Sequence, residues 1–173
     1  MVVGAGRMGS ALATALFHKG FATTVWNRTG GKTEVLAKLG LHVAPSLEES
    51  VREADIVVVS LSGYSSTRQV LGQPGIETAL RGKIVVQLSS GTPQDAREMD
   101  SWARRCGIEY LDGAILGSPG WIEHQPAPSS IPGRRKSSSA RSRFLCRLAI
   151  GLLSSGMKSA MPRHSMLRSS PSA

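Results

Sequence analysis

With 173 residues and 40% hydrophobic content, the chain is long enough for one globular domain and a remainder. Its net charge of +9 is unevenly placed, because residues 1–123 hold 12 Lys+Arg and 12 Asp+Glu, whereas residues 124–173 hold nine Lys+Arg and no acidic residue. Membrane-spanning, secretory and disulfide-rich classes are excluded, because no apolar run is long enough, the N-terminus lacks a signal pattern and there are two cysteines. We therefore expect a cytoplasmic protein with a neutral folded body.

Short apolar, β-branched runs alternate with helical segments along this body. The predicted strands are Val2–Val3, Thr23–Trp26, Leu41–Val43, Ile56–Ser60, Ile84–Leu88 and Ile108–Leu111. Several of these runs are hydrophobic at every position, which is typical of a parallel strand covered on both faces. Helices are predicted at 7–19, 31–39 and 94–106, each ending at a glycine that can take the left-handed conformation. The alternation predicts an α/β, Rossmann-type doubly wound, mainly parallel sheet.

Two further helix starts are marked by capping residues. Ser46 stands three residues before Glu49, which is the spacing of a reciprocal capping box. Thr92 combines a capping hydroxyl with Pro93 at the first helical position and Asp95 in the first turn. The second of these helices is predicted to bury one apolar stripe, formed by Ala96, Met99, Ala103 and Cys106.

The first predicted turn carries a glycine pattern associated with phosphate binding. The pattern G-x-G-x-x-G directly follows a strand and opens a helix, and its residues are Gly4, Ala5, Gly6, Arg7, Met8 and Gly9. Gly4 permits a tight turn, Gly6 leaves room for a pyrophosphate, and Gly9 lets the helix pack closely. A pyrophosphate would then lie at the positive end of the helix dipole. The alternative is a glycine turn that only connects the strand to the helix.

The end of the second strand bears on the choice of cofactor. An NAD site would place Asp or Glu here to accept a hydrogen bond from the ribose 2′-hydroxyl, but the sequence has Asn27, Arg28 and Thr29. Arg28 offers planar charged donors to a 2′-phosphate, Asn27 and Thr29 add neutral hydrogen bonds, and Lys32 adds a second cation. The sequence therefore predicts NADP (NADPH) as the cofactor. The alternative is an arginine that is simply solvated in a surface loop.

These motifs carry a family resemblance over residues 1–122. The Gly4–Gly9 loop, Trp26–Thr29, Ser60–Ser62 and Leu88–Pro93 together resemble the NADP-binding domain of the 6-phosphogluconate dehydrogenase/β-hydroxyacid dehydrogenase superfamily. Within it, the sequence is most similar to the imine reductase and reductive aminase branch, through Ser90-Gly91-Thr92-Pro93 and Tyr110-Leu111-Asp112-Gly113-Ala114-Ile115. The resemblance implies a hydride-transferring oxidoreductase.

The resemblance also assigns roles to individual positions. Leu61 and Ser62 would border the adenine and ribose. Ser90, Gly91 and Thr92 would lie near the nicotinamide and the substrate, although reductive aminases tend to carry Asn in place of Ser90, and Thr92 is also explained as a helix cap. Asp112 follows the sixth strand at the sheet edge where ligands bind, so it is either functional or a cap of the next turn.

The resemblance implies a helical second domain that this sequence does not match. In the superfamily that domain supplies the proton donor and the dimer interface, so we assign no catalytic residue, and we expect a truncated relative in which a homodimer is doubtful. The implied substrate of a full-length relative is an imine, a ketone or a hydroxyacid. No metal site is expected, because the four histidines have no ligand-spaced partners.

Residues 123–173 form a second compositional segment, rich in serine and arginine. This bias predicts a disordered basic tail after a domain at 1–122. Three interpretations stay open: a frameshift or mispredicted intron, a genuine basic arm with Arg134–Lys136 and Arg141–Arg143 facing phosphates, and a weak membrane-surface segment at Phe144–Leu153. The arm gives the alternative function, a noncatalytic nucleotide-binding module that binds polyanions, although nucleic acid is not the expected partner because aromatic interleaving is absent.

Overall fold

The strands form one parallel sheet whose order reverses near its centre. In the computed structural model, which describes residues 1–113, 115 and 118–123, six strands lie in the order β3-β2-β1-β4-β5-β6. They are β1 (Val2–Val3), β2 (Thr24–Trp26), β3 (His42–Val43), β4 (Ile56–Val59), β5 (Ile84–Gln87) and β6 (Glu109–Asp112). All five strand pairs are parallel, with Val3 opposite both Trp26 and Val59 in register.

Seven α-helices accompany the sheet in the described part of the chain. They are α1 (Arg7–His18), α2 (Glu34–Lys38), α3 (Leu47–Glu53), α4 (Tyr64–Leu71), α5 (Pro74–Leu80), α6 (Pro93–Arg105) and α7 (Pro119–Glu123), and a 3-10 turn (Gly30–Lys32) precedes α2. None of these helices is long and apolar enough to cross a membrane.

The core lies on both faces of the sheet. Val57 and Val59 of β4 point into a cluster formed with α3, α4, α5 and α6, whereas Val58 between them points into a second cluster formed with α1 and α2. Because successive side chains of a strand alternate between faces, a strand covered on both sides must be apolar throughout. The hydrophobic run Ile56–Val59 is thereby explained, and the predicted doubly wound parallel sheet is confirmed.

Most predicted helix ends are also found where the sequence indicated them. Gly20, Gly40 and Gly107 take positive φ angles of 82°, 90° and 69° directly after α1, α2 and α6. The predicted helix at 31–39 is wrong in its first turn, because the Thr33 hydroxyl and amide both donate to the Gly30 carbonyl, at 2.7 and 2.9 Å, and close a separate 3-10 turn. The tail interpretations concern residues 124–173 and lie outside the described residues.

Capping at the other helix starts follows the prediction in part. Thr92 and Asp95 form the full reciprocal capping box at α6, and at α3 the Ser46 hydroxyl accepts from the Glu49 amide at 3.4 Å. The predicted stripe of α6 is buried at Met99 and Ala103, while Ala96 and Cys106 are half-buried. Trp102, which the stripe omitted, is only 3% exposed and packs against the same cluster.

Candidate functional site

Four loops meet at the carboxyl edge of the sheet, where ligands bind in open α/β folds. They follow β1 (Gly4–Gly9), β2 (27–29), β4 (60–63) and β5 (88–92). The strand order places β1 and β4 side by side, with the connections after them running to opposite faces of the sheet. In open α/β sheets such a reversal is where the ligand crevice lies, and the four loops at this edge carry the site residues predicted from the sequence, apart from Lys32 in the 3-10 turn that follows.

The glycine loop is closely packed at its two ends and open in the middle. A Cβ on Gly4, whose φ is +105°, would lie 2.2 Å from the Ser60 carbonyl oxygen, and a Cβ on Gly9 would lie 1.9 Å from the Gly4 carbonyl oxygen. Gly6 is exposed, and no atom of the described residues lies within 4 Å of the position its Cβ would take. The loop is therefore shaped by contacts within the chain at Gly4 and Gly9, and it leaves a free approach at Gly6.

The amino end of α1 differs from those of α3 and α6. Ser46 and Thr92 cap α3 and α6 with their side chains, and acidic residues occupy the first turns of both helices. In α1, all of whose residues the structure describes, Gly6 supplies no side-chain cap and the first turn contains no acidic residue. The first N–H groups of a helix have no partner within it and carry the positive end of its dipole. The loop thus presents an uncompensated positive end to an anion.

Asn27 connects this loop to the loop after β2. Its side-chain carbonyl accepts a hydrogen bond from the Ala5 amide at 3.0 Å, and its side-chain NH₂ donates to the Thr29 carbonyl at 2.9 Å. The carboxamide thus fixes the two loops relative to each other, and the Ala5 amide is already engaged. The predicted hydrogen bond from Asn27 to a ribose phosphate stays a prediction.

The charged groups after β2 are free to meet a ligand. Arg28, Thr29 and Lys32 are all exposed, and neither Arg28 nor Lys32 forms an ion pair with any residue that the structure describes. A guanidinium in this state keeps its planar array of donors available for a phosphate.

The loops after β4 and β5 are tied to each other. The Leu61 amide donates to the Ser89 hydroxyl at 3.0 Å, and Ser89 is buried although sequence analysis passed over it. Ser62, which is exposed, shares a 2.9 Å hydrogen bond with Ser66. Ser90 is exposed. Its carbonyl oxygen lies close to Gly63, since a Cβ built on Gly63 would be 3.6 Å from that oxygen.

The Thr92 side chain is used within the chain. Its hydroxyl accepts from the Asp95 amide at 3.2 Å and donates to the Asp95 carboxylate at 2.7 Å, and the Thr92 amide donates to the same carboxylate at 2.8 Å. These bonds hold the pKa of Asp95 below its usual value. The cap predicted from the sequence is confirmed, and the substrate-proximal role of Thr92 stays a prediction.

Asp112 accepts hydrogen bonds from two tyrosines. The Tyr64 hydroxyl donates to Asp112 Oδ1, and the Tyr110 hydroxyl donates to the same oxygen at 3.4 Å. Tyr64 is 48 residues from Asp112, so no local pattern could have revealed the pair. Among the described residues, no group of three His, Cys, Asp or Glu side chains is placed to hold a metal ion.

Known proteins that are similar to this chain include nucleotide-dependent oxidoreductases. Residues 1–149 match the family described as the NAD binding domain of 6-phosphogluconate dehydrogenase. An NADPH-dependent reductive aminase from Aspergillus oryzae is 32% identical over 121 residues, which make up 70% of this chain and 40% of that protein. A probable 3-hydroxyisobutyrate dehydrogenase-like protein from Arabidopsis thaliana is 31% identical over 117 residues, covering 66% of this chain and 37% of that protein.

A solved structure of an imine reductase is similar to this chain as well. The imine reductase from Myxococcus stipitatus in complex with NADP+ matches with a TM-score of 0.68 and 52% identity, over 70% of this chain and 42% of that chain. The chain thus spans about two fifths of the length of these relatives. The predicted family and the predicted class of cofactor, a nicotinamide adenine dinucleotide, are confirmed. The family match continues past residue 122, where the sequence predicted a domain boundary.

Proposed function

This chain belongs to the family of NAD binding domains of 6-phosphogluconate dehydrogenase, and from that premise we propose that it is the NADP-binding part of a hydride-transferring oxidoreductase of the imine reductase type. The observation that carries the proposal is the amino end of α1, where Gly6 stands open to a ligand and no capping or acidic side chain of α1 offsets the dipole. A pyrophosphate there would supply the missing negative charge.

We infer the choice of NADP over NAD from the loop after β2. Arg28 takes the place of the carboxylate that would bind a ribose 2′-hydroxyl and repel a 2′-phosphate. Arg28 and Lys32 are exposed, so both can pair with that phosphate, and Thr29 can add a hydrogen bond. Asn27 keeps this loop against the glycine loop, and its own hydrogen bond to the ribose phosphate stays part of the proposal.

The remaining contacts are assigned from the family resemblance, and the order of the strands is compatible with them. Leu61 and Ser62, after β4, border the adenosine, and Ser90, Gly91 and Thr92, after β5, lie toward the nicotinamide. When bound, the nicotinamide supplies the hydride, and the protein's part is to bind and orient it. The proposed substrate of the whole protein is an imine, in keeping with the names of the reductive aminase and imine reductase relatives. A ketone or hydroxyacid is the alternative substrate, since a hydroxyisobutyrate dehydrogenase-like protein is also similar.

The domain at 1–122, the cytoplasmic location and the doubtful homodimer remain part of this proposal. Limited proteolysis tests the boundary. A stable fragment ending close to residue 122 supports the division, and a protected fragment reaching residue 149, where the family match ends, moves it.

The cofactor is tested by titrating the full chain with NADPH and NADH in a calorimeter. Wild type is expected to bind NADPH more tightly. Arg28→Asp is expected to weaken NADPH binding about 10- to 100-fold, because a charge-assisted hydrogen bond is worth about 1.5–3 kcal/mol, and to reverse the preference toward NADH. Arg105→Gln is the matched control, because Arg105 is exposed at the far end of α6 from the site. Equal affinities of wild type for both nucleotides would overturn the NADP assignment.

A further inference from the structure

Tyr64 joins three parts of the site. It is the first residue of α4, and it is only 8% exposed, although Gly91 beside it is exposed. A Cβ built on Gly91 would lie 2.2 Å from Tyr64 Cδ2 and 2.4 Å from Cε2. The phenol ring therefore lies directly against the main chain of the turn at 90–92, with no room for a side chain between them.

The orientation of the Tyr64 ring is fixed from its far end. Its hydroxyl donates to Asp112 Oδ1, on the last residue of β6. Asp112 lies opposite Gln87 in the β5–β6 ladder, just before the loop that leads to Gly91. Burial, with Asp112 as a further cause, raises the pKa of Tyr64 well above its ordinary value, and burial and Asp112 likewise raise the pKa of Tyr110. Both phenols are protonated at neutral pH, as an unperturbed tyrosine already is, and both donate to Asp112.

A buried contact holds the rest of α4 in place. The Gln87 side-chain NH₂ donates to the Thr67 hydroxyl at 3.0 Å, and both residues are fully buried. Together with the Leu61–Ser89 hydrogen bond, it attaches the segment from Leu61 to Thr67 to the end of β5.

We propose that Tyr64 and Asp112 are positioning residues for the nicotinamide end of the cofactor, Tyr64 by supporting the turn at 90–92 and Asp112 by holding the Tyr64 ring. This inference rests on the proposed function. Neither residue contacts the cofactor in this role. β2 and β5 are separated by β1 and β4, so at about 4.8 Å per strand their ends lie roughly 14 Å apart. Arg28 serves one end of the dinucleotide, and the Tyr64–Asp112 pair serves the other.

The test compares two probes on the full chain by calorimetry: NADPH, and adenosine 2′,5′-bisphosphate, which lacks the nicotinamide half. Tyr64→Phe and Asp112→Ala are expected to weaken NADPH binding about 3- to 10-fold, since each removes one hydrogen bond that orients the ring. Both should leave the affinity for adenosine 2′,5′-bisphosphate unchanged. Asp112→Asn keeps an acceptor oxygen and is expected to retain NADPH affinity.

Tyr110→Phe is the matched control, because its hydroxyl reaches the same carboxylate and its ring is not the one that packs on Gly91. It should bind both probes as wild type does. Equal weakening of both probes in Tyr64→Phe would overturn the proposal by showing that the pair only supports the fold, as would unchanged NADPH binding. A wild-type chain that binds neither probe would instead refute the proposed function itself.

Discussion

Alanine at Gly6 and alanine at Gly9 should have separable effects, although both glycines belong to one loop. Gly6 has φ −72° and ψ 179°, an extended conformation that alanine adopts without strain. A methyl group there meets no described atom within 4 Å. The reduced entropy of the unfolded chain stabilises the variant by about 0.4–1 kcal/mol, and the poorer helix cap offsets a similar amount. The free energy of unfolding should therefore stay within about 0.5 kcal/mol of wild type.

The same methyl group lies where the main chain must approach the pyrophosphate. NADPH affinity of Gly6→Ala should fall at least about ten-fold, which is about 1.4 kcal/mol. At Gly9 the added carbon would stand 1.9 Å from the Gly4 carbonyl oxygen, and Gly4 cannot retreat because the Ser60 carbonyl oxygen is close to it. Such overpacking costs about 3 kcal/mol or more, which lowers the melting temperature by about 10 °C.

Thermal melts followed by circular dichroism measure stability, and calorimetric titration with NADPH measures binding. Gly6→Ala should have the melting temperature of wild type and bind NADPH at least about ten-fold more weakly. Gly9→Ala should already have a lower melting temperature than wild type. Wild-type affinity in Gly6→Ala would refute the placement of the pyrophosphate over this residue. A wild-type melting temperature in Gly9→Ala would refute the tight turn.

Three further predictions concern the framework of the site. Thr67→Val removes the hydrogen-bond partner of the fully buried Gln87 side chain and should cost about 1–3 kcal/mol in urea unfolding. Thr67→Ser keeps the hydroxyl and should cost only about 0.8 kcal/mol, from its lost methyl group. A Thr67→Val variant as stable as wild type would contradict the buried pair. Asp95→Asn should lower the melting temperature at pH 7, because the pKa of Asp95 is depressed in the folded state and the carboxylate stabilises the fold fully above the ordinary pKa of 3.8. The difference in melting temperature between wild type and variant should disappear as the pH falls below that value. A difference that does not depend on pH would refute the charge effect. Trp102→Phe removes the 2.6 Å hydrogen bond from the indole to Glu77 and should cost about 1–3 kcal/mol in the same urea assay. Arg97 is exposed on α6, so Arg97→Gln is the control and should have the free energy of unfolding of wild type.

Local patterns in the sequence were sufficient for the strands and for most helix ends. The β4 run is apolar at every position because both faces of the strand are covered, so composition alone identified a buried parallel strand. Gly20, Gly40 and Gly107 were identifiable as helix ends because each must take a positive φ that other residues rarely adopt. The glycine loop was predictable for a steric reason, since Gly4 and Gly9 have no room for a Cβ.

The interactions that assemble the site were not predictable, because they join residues that are distant in the chain. Asn27 is 22 residues from Ala5, Ser89 is 28 from Leu61, and Tyr64 is 48 from Asp112. Each pair meets only because parallel strands place their carboxyl ends side by side. The second role of Asn27 was hidden for the same reason: its residue type suggested a ligand contact, and only the folded loops show that its carboxamide also joins the glycine loop to the loop after β2.

With its amino end uncapped, α1 would gain a missing partner from the proposed cofactor, which would then be a structural component of the domain. A dinucleotide that completes this helix end binds the native state and has no site on the unfolded chain. By mass action, NADPH at 100 times its dissociation constant would then stabilise the fold by about 2.7 kcal/mol. The melting temperature is thus expected to depend on nucleotide concentration, so the population of folded chains would follow the supply of the dinucleotide, oxidised or reduced, around the protein.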